Sequence, residues 1–280
     1  MNQLSREHSM QNRPDLAVGR VRHQLKFRLA QVKRVQSLTP HLVRITLSGE
    51  ELHDFESASF DDHIKVFFPP PGADKPVMPT AGPNGPVFPE DQPRPIARDF
   101  TPRRYDREAC ELDIEFALHE AGPAATWAAQ AKVGQYLGIG GPRGSFTIPT
   151  GFDWHLLIGD ETALPAIARR LEELPPGTRV AALIEVEDPS ARIDFTTQTD
   201  LYAEWRYRSE SDFPGAALLL ALREMYLPTG EGYVWAAGEA TIMRAVRQHL
   251  CTERGVDKTR IRAASYWKRG AEAVHENIDD

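Results

Sequence analysis

His155-Leu-Leu-Ile-Gly159, running on into Asp-Glu-Thr-Ala-Leu-Pro165, decides the architecture of this chain. A short unbroken apolar run is what a strand buried on both faces of a parallel sheet requires. A helix is expected over about 162–174, with Pro165 in its first turn, where a missing N–H costs little. The same grammar continues downstream. Strands are expected over 179–186, 201–207, 232–237 and 260–266, and helices over 214–227 and 240–254. In the last helix Ile242, Val246, His249 and Leu250 share one face, and Gly255 ends it. Strands alternating with helices predict an α/β domain with a doubly wound parallel sheet, whose ligands bind beyond the carboxyl ends of its strands.

Upstream of Gly151 the pattern changes. Val43, Ile45 and Leu47 alternate with Arg44, Thr46 and Ser48; Ile64, Val66 and Phe68 repeat the pattern, as do Leu112, Ile114, Phe116 and Leu118. Period-two alternation without intervening helices predicts an antiparallel β-barrel or sandwich, and a β-barrel is the expectation carried forward. Residues 69–95 are crowded with Pro and Gly and form an inserted loop. The expected organisation is a tail over 1–20, a barrel domain over 21–149 and an α/β domain over 150–280, with a cleft between the two domains.

Composition limits the function. The 280 residues carry a formal net charge of −7, which argues against a nucleic-acid binder working by charge alone. Cys110 and Cys251 are the two cysteines, too few for a cysteine-held cluster or a four-cysteine zinc site; both are expected as reduced thiols. No run reaches the ~20 apolar residues of a membrane helix. Residues 1–20 are polar and lack the apolar block of a secretory signal, so the tail is expected to be mobile and the protein cytoplasmic. No carboxylate dyad, nucleophile–histidine pair or metal-ligand cluster stands out.

Chemistry concentrates in a few stretches. In Arg98-Asp-Phe-Thr-Pro-Arg103 an arginine able to pair with a pyrophosphate stands two residues before a ring able to stack on a flat heterocycle. A basic edge strand is the plainer alternative. His119-Glu-Ala-Gly-Pro-Ala-Ala-Thr-Trp127 brings Gly122 and small residues to a helix N-terminus, where N–H groups approach a phosphate. Gly138-Ile-Gly-Gly-Pro-Arg-Gly-Ser145 fails the GxGxxG fingerprint at Arg143 and is expected as a barrel strand and turn.

Taken in order, Arg-x-aromatic-Thr, Gly-Pro-Ala-Ala-x-Trp and Gly-Pro-Arg-Gly-Ser resemble the siderophore-interacting proteins, FAD-binding ferric-siderophore reductases among the ferredoxin-reductase-like flavoenzymes. The likeness runs from about Val21 and takes in Asp62-His-Ile-Lys65 and Tyr266-Trp-Lys-Arg-Gly270. It implies FAD as cofactor, NAD(P)H as electron donor and a ferric siderophore as substrate; a monomer is the default expectation. Arg98 would then contact the FAD phosphates, Phe100 the isoalloxazine and Thr101 its N5 edge. Gly122, Ala124, Ala125 and Thr126 would hold the pyrophosphate, with His63, Lys65 and His119 near the ring or ribityl chain. Phe100 stands where the family usually has Tyr, and Ala125 where Ser is frequent, so a ribityl hydroxyl bond and a side-chain phosphate contact are lost.

On the nicotinamide side the resemblance points to Asp160 and Thr162, and to Ala237, Gly238 and Glu239 at the end of a later strand; ordinary strand–helix turn chemistry is the alternative. Arg206 and Arg208 end the third strand and hint at NADPH. Arg262, Lys268 and Arg269, with Tyr266 and Trp267 among them, are candidates to bind an anionic ferric chelate, against the alternative of a solvated charged face. Thr101 and Lys268 are the residues expected closest to the reaction. Two rival functions remain open: a flavin reductase serving a protein carrier, which needs a docking surface, and a siderophore-sequestering protein, which has no use for FAD.

Overall fold

The computed structural model describes residues 16–83, 85–118, 122–211, 213–271 and 276–278. The first domain contains β1 (Gly19–Arg22), β2 (Phe27–Thr39), β3 (Leu42–Ser48), β4 (Ile64–Phe67), β5 (Thr80–Gly82), β6 (Gly85–Val87), β7 (Ala97–Phe100), β8 (Arg104–Asp106) and β9 (Glu111–Ala117). Helix α1 (Pro123–Ala129), β10 (Tyr136–Gly140) and β11 (Gly144–Thr147) complete it. Seven strands pair antiparallel in the order β7-β4-β10-β2-β3-β9-β8. No pairing joins β7 to β8 among the described residues, so hydrogen bonding shows a sheet and not a closed barrel. The alternating residues do what their period demands: Ile45, Leu47, Ile64, Val66, Leu112 and Ile114 lie in one buried cluster with Leu137 and Ile139.

Two expectations need adjusting. The tail assigned to 1–20 gives way to strand at Gly19, which pairs with Thr147 on β11. The insertion over 69–95 carries a small hairpin of its own, β5–β6.

The second domain runs β12 (Trp154–Gly159), α2 (Leu164–Glu173), β13 (Arg179–Val186), β14 (Asp200–Tyr207), α3 (Ala216–Glu224), β15 (Gly232–Glu239), α4 (Ala240–Gln248), β16 (Ile261–Trp267) and β17 (Glu276–Asn277). The sheet order is β14-β13-β12-β15-β16-β17; the first five are parallel and β17 is antiparallel to β16. Successive strand residues serve opposite faces. Leu157, Tyr233 and Trp235 pack with Leu164, Ile167 and Leu171 of α2, while Leu156, Val234 and Ala236 pack with Leu222 of α3 and Val246 of α4. Helices therefore cover both faces, as a doubly wound sheet requires.

The α2-side core does not stop at the domain boundary. Leu42, Phe60 and Ile148 of the first domain belong to the same buried cluster, and the Phe60 ring lies 5.4 Å from that of Trp235. One apolar core thus fixes the two domains against each other, with the carboxyl ends of β12, β15 and β16 beside the segment that follows β7.

Candidate functional site

Strand β7 pairs with β4, setting Phe100 opposite Ile64 and Arg98 opposite Val66. The Phe100 ring lies 4.4 Å from Phe116 on β9 and 6.3 Å from Phe68; Trp127 of α1 lies 5.6 Å from Phe68 and 6.1 Å from Phe116. This aromatic cluster brings β7 and the Gly122 turn, 22 residues apart in sequence as the numbering gives it (122 less 100), onto one surface of the sheet. Gly122 has φ 128°, a backbone open to glycine, and supplies no capping side chain. Pro123 has no N–H to give, and the Thr126 N–H bonds to the Gly122 carbonyl at 3.0 Å; the Ala124 and Ala125 N–H groups are first-turn donors without an intrahelical acceptor. Small residues and first-turn donors, with the Arg98 guanidinium on β7, are a donor set that fits the phosphates of a dinucleotide.

Arg98 is half-buried and donates to the Ala97 carbonyl at 2.9 Å among its contacts. Lys65 is exposed and paired with Asp99 at 2.7 Å across β4–β7, so its charge is partly answered by the protein. His63 is exposed beside it. His119 lies outside the described residues. Thr101 is buried and hydrogen-bonded to the Tyr266 phenol at the end of β16, so the segment after β7 meets the second domain there. Burial, with the Asp61 carboxylate behind it, pushes that phenol up, and it acts as a neutral hydrogen-bonding group.

The residues expected on the nicotinamide side lie together around Asp160, which follows β12. Its carboxylate accepts from the Thr162 N–H and hydroxyl, from the Glu239 N–H and from the Trp267 indole N–H. Burial raises its pKa, with Glu161 adding to the effect. Glu239 caps α4 by accepting from the Thr241 and Ile242 N–H groups, and Ala237 is fully buried beneath the turn. Lys268 and Arg269 are exposed next to these strand ends.

Two arginines stand elsewhere than expected. Arg262 is ion-paired with Asp61 of the first domain and lies 4.4 Å over the Phe146 ring; the Trp235 indole donates to the same carboxylate at 2.7 Å. A buried carboxylate needs a cation, and that need takes Arg262 out of a substrate pocket. Arg208 bonds Glu161 and Glu187, so the guanidinium assigned to a nucleotide phosphate is already neutralised by two acids. Asp61 itself, Arg103 bridging to Glu172, and Arg169 donating to Ser57 and to the Pro102 carbonyl were not singled out in the sequence. Isolated charges 67 or more residues apart carry no local pattern that joins them.

A nucleophile–histidine pair does exist in space. His23 Nε2 lies 2.7 Å from Ser145 Oγ, with Glu56 3.5 Å from Nδ1. The Ser145 hydroxyl, however, is buried, donates to Asp62 at 2.7 Å and accepts from the Ala58 N–H. A serine so bound is a structural joint between elements and not a nucleophile. Among the described residues no group of His, Cys, Asp and Glu could hold a metal ion, and neither Cys110 nor Cys251 forms a disulfide. Among the described residues no helix is long and apolar enough to cross a membrane. A cavity of about 540 Å³ lined by Arg179, Asp200 and Tyr202 opens at the amino ends of β13 and β14, the wrong end of the sheet for the chemistry of this fold class.

Comparisons with known proteins agree with this geometry. Residues 31–146 match the siderophore-interacting FAD-binding domain, and residues 152–270 match the siderophore-interacting protein domain. The chain is 38 % identical over 252 residues to the NADPH-dependent ferric-chelate reductase of Escherichia coli, covering 89 % of this chain and 95 % of that one. It is 34 % identical to the ferric vibriobactin reductase ViuB of Vibrio cholerae, covering 89 % and 93 %. A siderophore utilization protein from T. fusca has a crystal structure that superposes with a TM-score of 0.84 at 37 % identity, covering 92 % of this chain and 98 % of that one. A glycine turn on an antiparallel sheet, a doubly wound partner domain, two matching family domains and relatives matched over nearly their whole length have one common explanation: the chain belongs to the siderophore-interacting protein family.

Proposed function

We propose that this chain is an FAD-dependent oxidoreductase that uses NAD(P)H to reduce iron(III) held by a siderophore. The observation that carries the reading is the convergence of Phe100 and the helix that follows Gly122 through the aromatic cluster of Phe68, Phe116 and Trp127, with Arg98 two residues before Phe100 on β7. Support comes from relatives named for ferric-chelate and ferric-vibriobactin reduction.

In this reading Arg98 and the Ala124 and Ala125 N–H groups hold the FAD diphosphate, and Thr126 closes the turn. Phe100 gives the isoalloxazine an apolar face, and Thr101, steadied by Tyr266, borders it. His63 and Lys65 flank the same edge, Lys65 by keeping Asp99 neutralised. Bound FAD supplies the conversion of a two-electron hydride into single electrons for iron(III). The chain's own part is to bind, orient and keep water from the cleft, where Gly238 and Glu239 shape the nicotinamide side. Lys268 and Arg269 draw in the anionic chelate. Hard oxygen donors that grip iron(III) bind iron(II) far less tightly, so the substrate falls apart once reduced. The sheet of 21–149 curls into a barrel, 150–280 forms the second domain, and the protein works as a cytoplasmic monomer.

Anaerobic titration tests this directly. Purified protein reconstituted with FAD is expected to be yellow, to lose its visible flavin band on adding NADPH or NADH, and to regain it on adding a ferric chelate as iron(II) appears. Protein that takes up no FAD, or whose flavin band neither nucleotide bleaches, overturns the proposal.

A further inference from the structure

Three parallel strands of the second domain end on one buried carboxylate. Asp160 follows β12. Its Oδ1 accepts from the Thr162 N–H at 2.9 Å and hydroxyl at 2.5 Å; its Oδ2 accepts from Trp267 Nε1 at 2.8 Å and from the Glu239 N–H at 3.2 Å. Those donors come from the turn after β12 and from the ends of β15 and β16. Four bonds use the acceptor sites of a carboxylate, which leaves Asp160 poorly placed to serve a ligand as well. The packing is close on the other side too. A Cβ on Gly238, where φ is 155°, would stand 2.7 Å from Oδ2.

The carboxylate's most distant partner is the informative one. At the end of β16 the register slips: Ser265 pairs with Gly238 and Trp267 with Glu239, so Tyr266 is the extra residue of a bulge. Bulges re-aim side chains next to active sites. Here Tyr266 is hydrogen-bonded to Thr101 of the first domain, while Trp267 is hydrogen-bonded to Asp160. Neighbouring residues are thus anchored to different domains. Trp267 keeps 37 % of its surface exposed despite that anchor. Lys268 and Arg269 follow it, both exposed, and the Arg269 N–H donates to Glu239 Oε1 at 3.3 Å. An indole tied by its edge with part of its surface open, beside two cations, is a rigid platform for a flat anionic molecule.

Resting on the reductase reading above, we infer that Asp160 is a positioning residue that sets the pose of the Trp267 indole, and that this ring is a contact surface for the ferric chelate beside Lys268 and Arg269. Asp160 acts through Trp267 and does not itself touch the nucleotide. Its burial-raised pKa is in keeping with a carboxylate enclosed by protein donors.

The test uses the FAD-loaded full chain with a ferric catecholate complex as probe. In Asp160→Asn the amide can keep an acceptor on Thr162 only by turning its NH2 toward the Trp267 and Glu239 N–H groups, which releases the indole. Acrylamide quenching of the Trp267 emission, isolated by subtracting matched proteins carrying Trp267→Phe, is expected to rise in Asp160→Asn. The KM for the chelate is expected to rise roughly tenfold, the worth of one well-placed contact, and by more than kcat falls. Trp267→Phe keeps a ring but cannot bond to Asp160, and it is expected to raise KM similarly; the double variant adds little to either single change. Should Asp160→Asn fail to fold, Trp267→Phe and Trp267→Ala decide the matter, because Trp267 is partly exposed and its loss leaves the core intact. Unchanged KM in both Trp267 variants, or unchanged quenching in folded Asp160→Asn, overturns the inference. Bleaching of the flavin band by NADPH in the parent protein separates the two levels: its absence defeats the reductase reading, while the quenching experiment still decides whether Asp160 holds Trp267.

Discussion

Arg262→Met separates a structural role from a substrate-binding one. Asp61 is 5 % exposed and holds two partners, the Arg262 guanidinium and the Trp235 indole N–H at 2.7 Å. Burial pushes the Asp61 carboxyl up, and Arg262, Trp235 and, more weakly, His63 oppose that shift. Removing the guanidinium leaves a buried carboxylate with one neutral donor, and breaking a buried pair from one side costs about 3–5 kcal/mol. At roughly 2–4 °C per kcal/mol for a protein of this size, Tm is expected to fall by about 6–20 °C. The variant Asp61→Asn/Arg262→Met removes the stranded charge and keeps an oxygen for Trp235, so it is expected to recover much of the loss.

The pH dependence of that deficit has a definite sign. The folded Asp61 pKa lies above its unfolded value, so the folded state binds the proton more readily and the penalty is relieved as pH falls through the folded pKa. The deficit of Arg262→Met is therefore expected to be smaller at about pH 5.5 than at about pH 8. Urea unfolding at both pH values, with steady-state KM for a ferric chelate on the same samples, makes the comparison. If Arg262→Met unfolded within ~1 kcal/mol of the parent, the range of an exposed ion pair, while its KM rose tenfold, the interdomain assignment would be refuted.

Three further outcomes are expected. His155 is 2 % exposed, and burial, aided by Arg170, holds its imidazole down at about 4 from an ordinary 6.5. The unfolded state takes up the proton first, so stability falls as pH drops from about 6.5 toward 4, by up to roughly 3 kcal/mol; His155→Phe flattens this, and parallel urea-midpoint curves for the two proteins would defeat the assignment. Gly122→Ala places a Cβ at φ 128° and crowds the first-turn donors, so the flavin-to-protein absorbance ratio after reconstitution is expected to drop while far-UV circular dichroism is kept. Gly238→Ala puts a Cβ 2.7 Å from Asp160 Oδ2 at a φ of 155°, and a loss of about 1–3 kcal/mol is expected in thermal unfolding.

The second domain was legible because burial on both faces leaves plain marks. The strand expected over 179–186 is β13, residue for residue, and those over 201–207 and 260–266 shift by a residue at one or both ends. The helix expected to reach 254 is α-helical only to Gln248 and continues as a wider π turn through Glu253 before Gly255, at φ 70°. In the first domain β2 escaped notice although it is the longest described strand, at 13 residues. Its register with β3 slips at Val32/Arg34 and again at Ser37/Thr39, and each slip breaks the alternation that marks a strand in sequence. The motifs proposed for the flavin side could be read at all because their residues are contiguous. The carboxylates that organise the cleft were not: Asp61 meets Arg262 across 201 positions and Asp160 meets Trp267 across 107, and a lone acid in sequence looks like solvated surface.

Those long-range bonds bear on how the two domains work together. Consecutive residues after Phe100 are each held by the second domain. Thr101 bonds to Tyr266, the Pro102 carbonyl accepts from Arg169 at 2.9 Å, and Arg103 pairs with Glu172 through both terminal nitrogens. Phe100 instead packs on Phe116 of its own domain. The stretch thus changes allegiance between residues 100 and 101, and the proposed flavin-facing ring is braced from behind by one domain and from its C-terminal side by the other. The apolar cluster shared by Phe60, Trp235 and Ile167 makes that bracing stiff, since separating the domains would expose it to water. A cleft built this way has little freedom to close around its ligands by hinge motion. On the proposed reading, selectivity for one chelate over another then resides in Trp267, Lys268 and Arg269, and in the carboxylate of Asp160 that bonds the first of them.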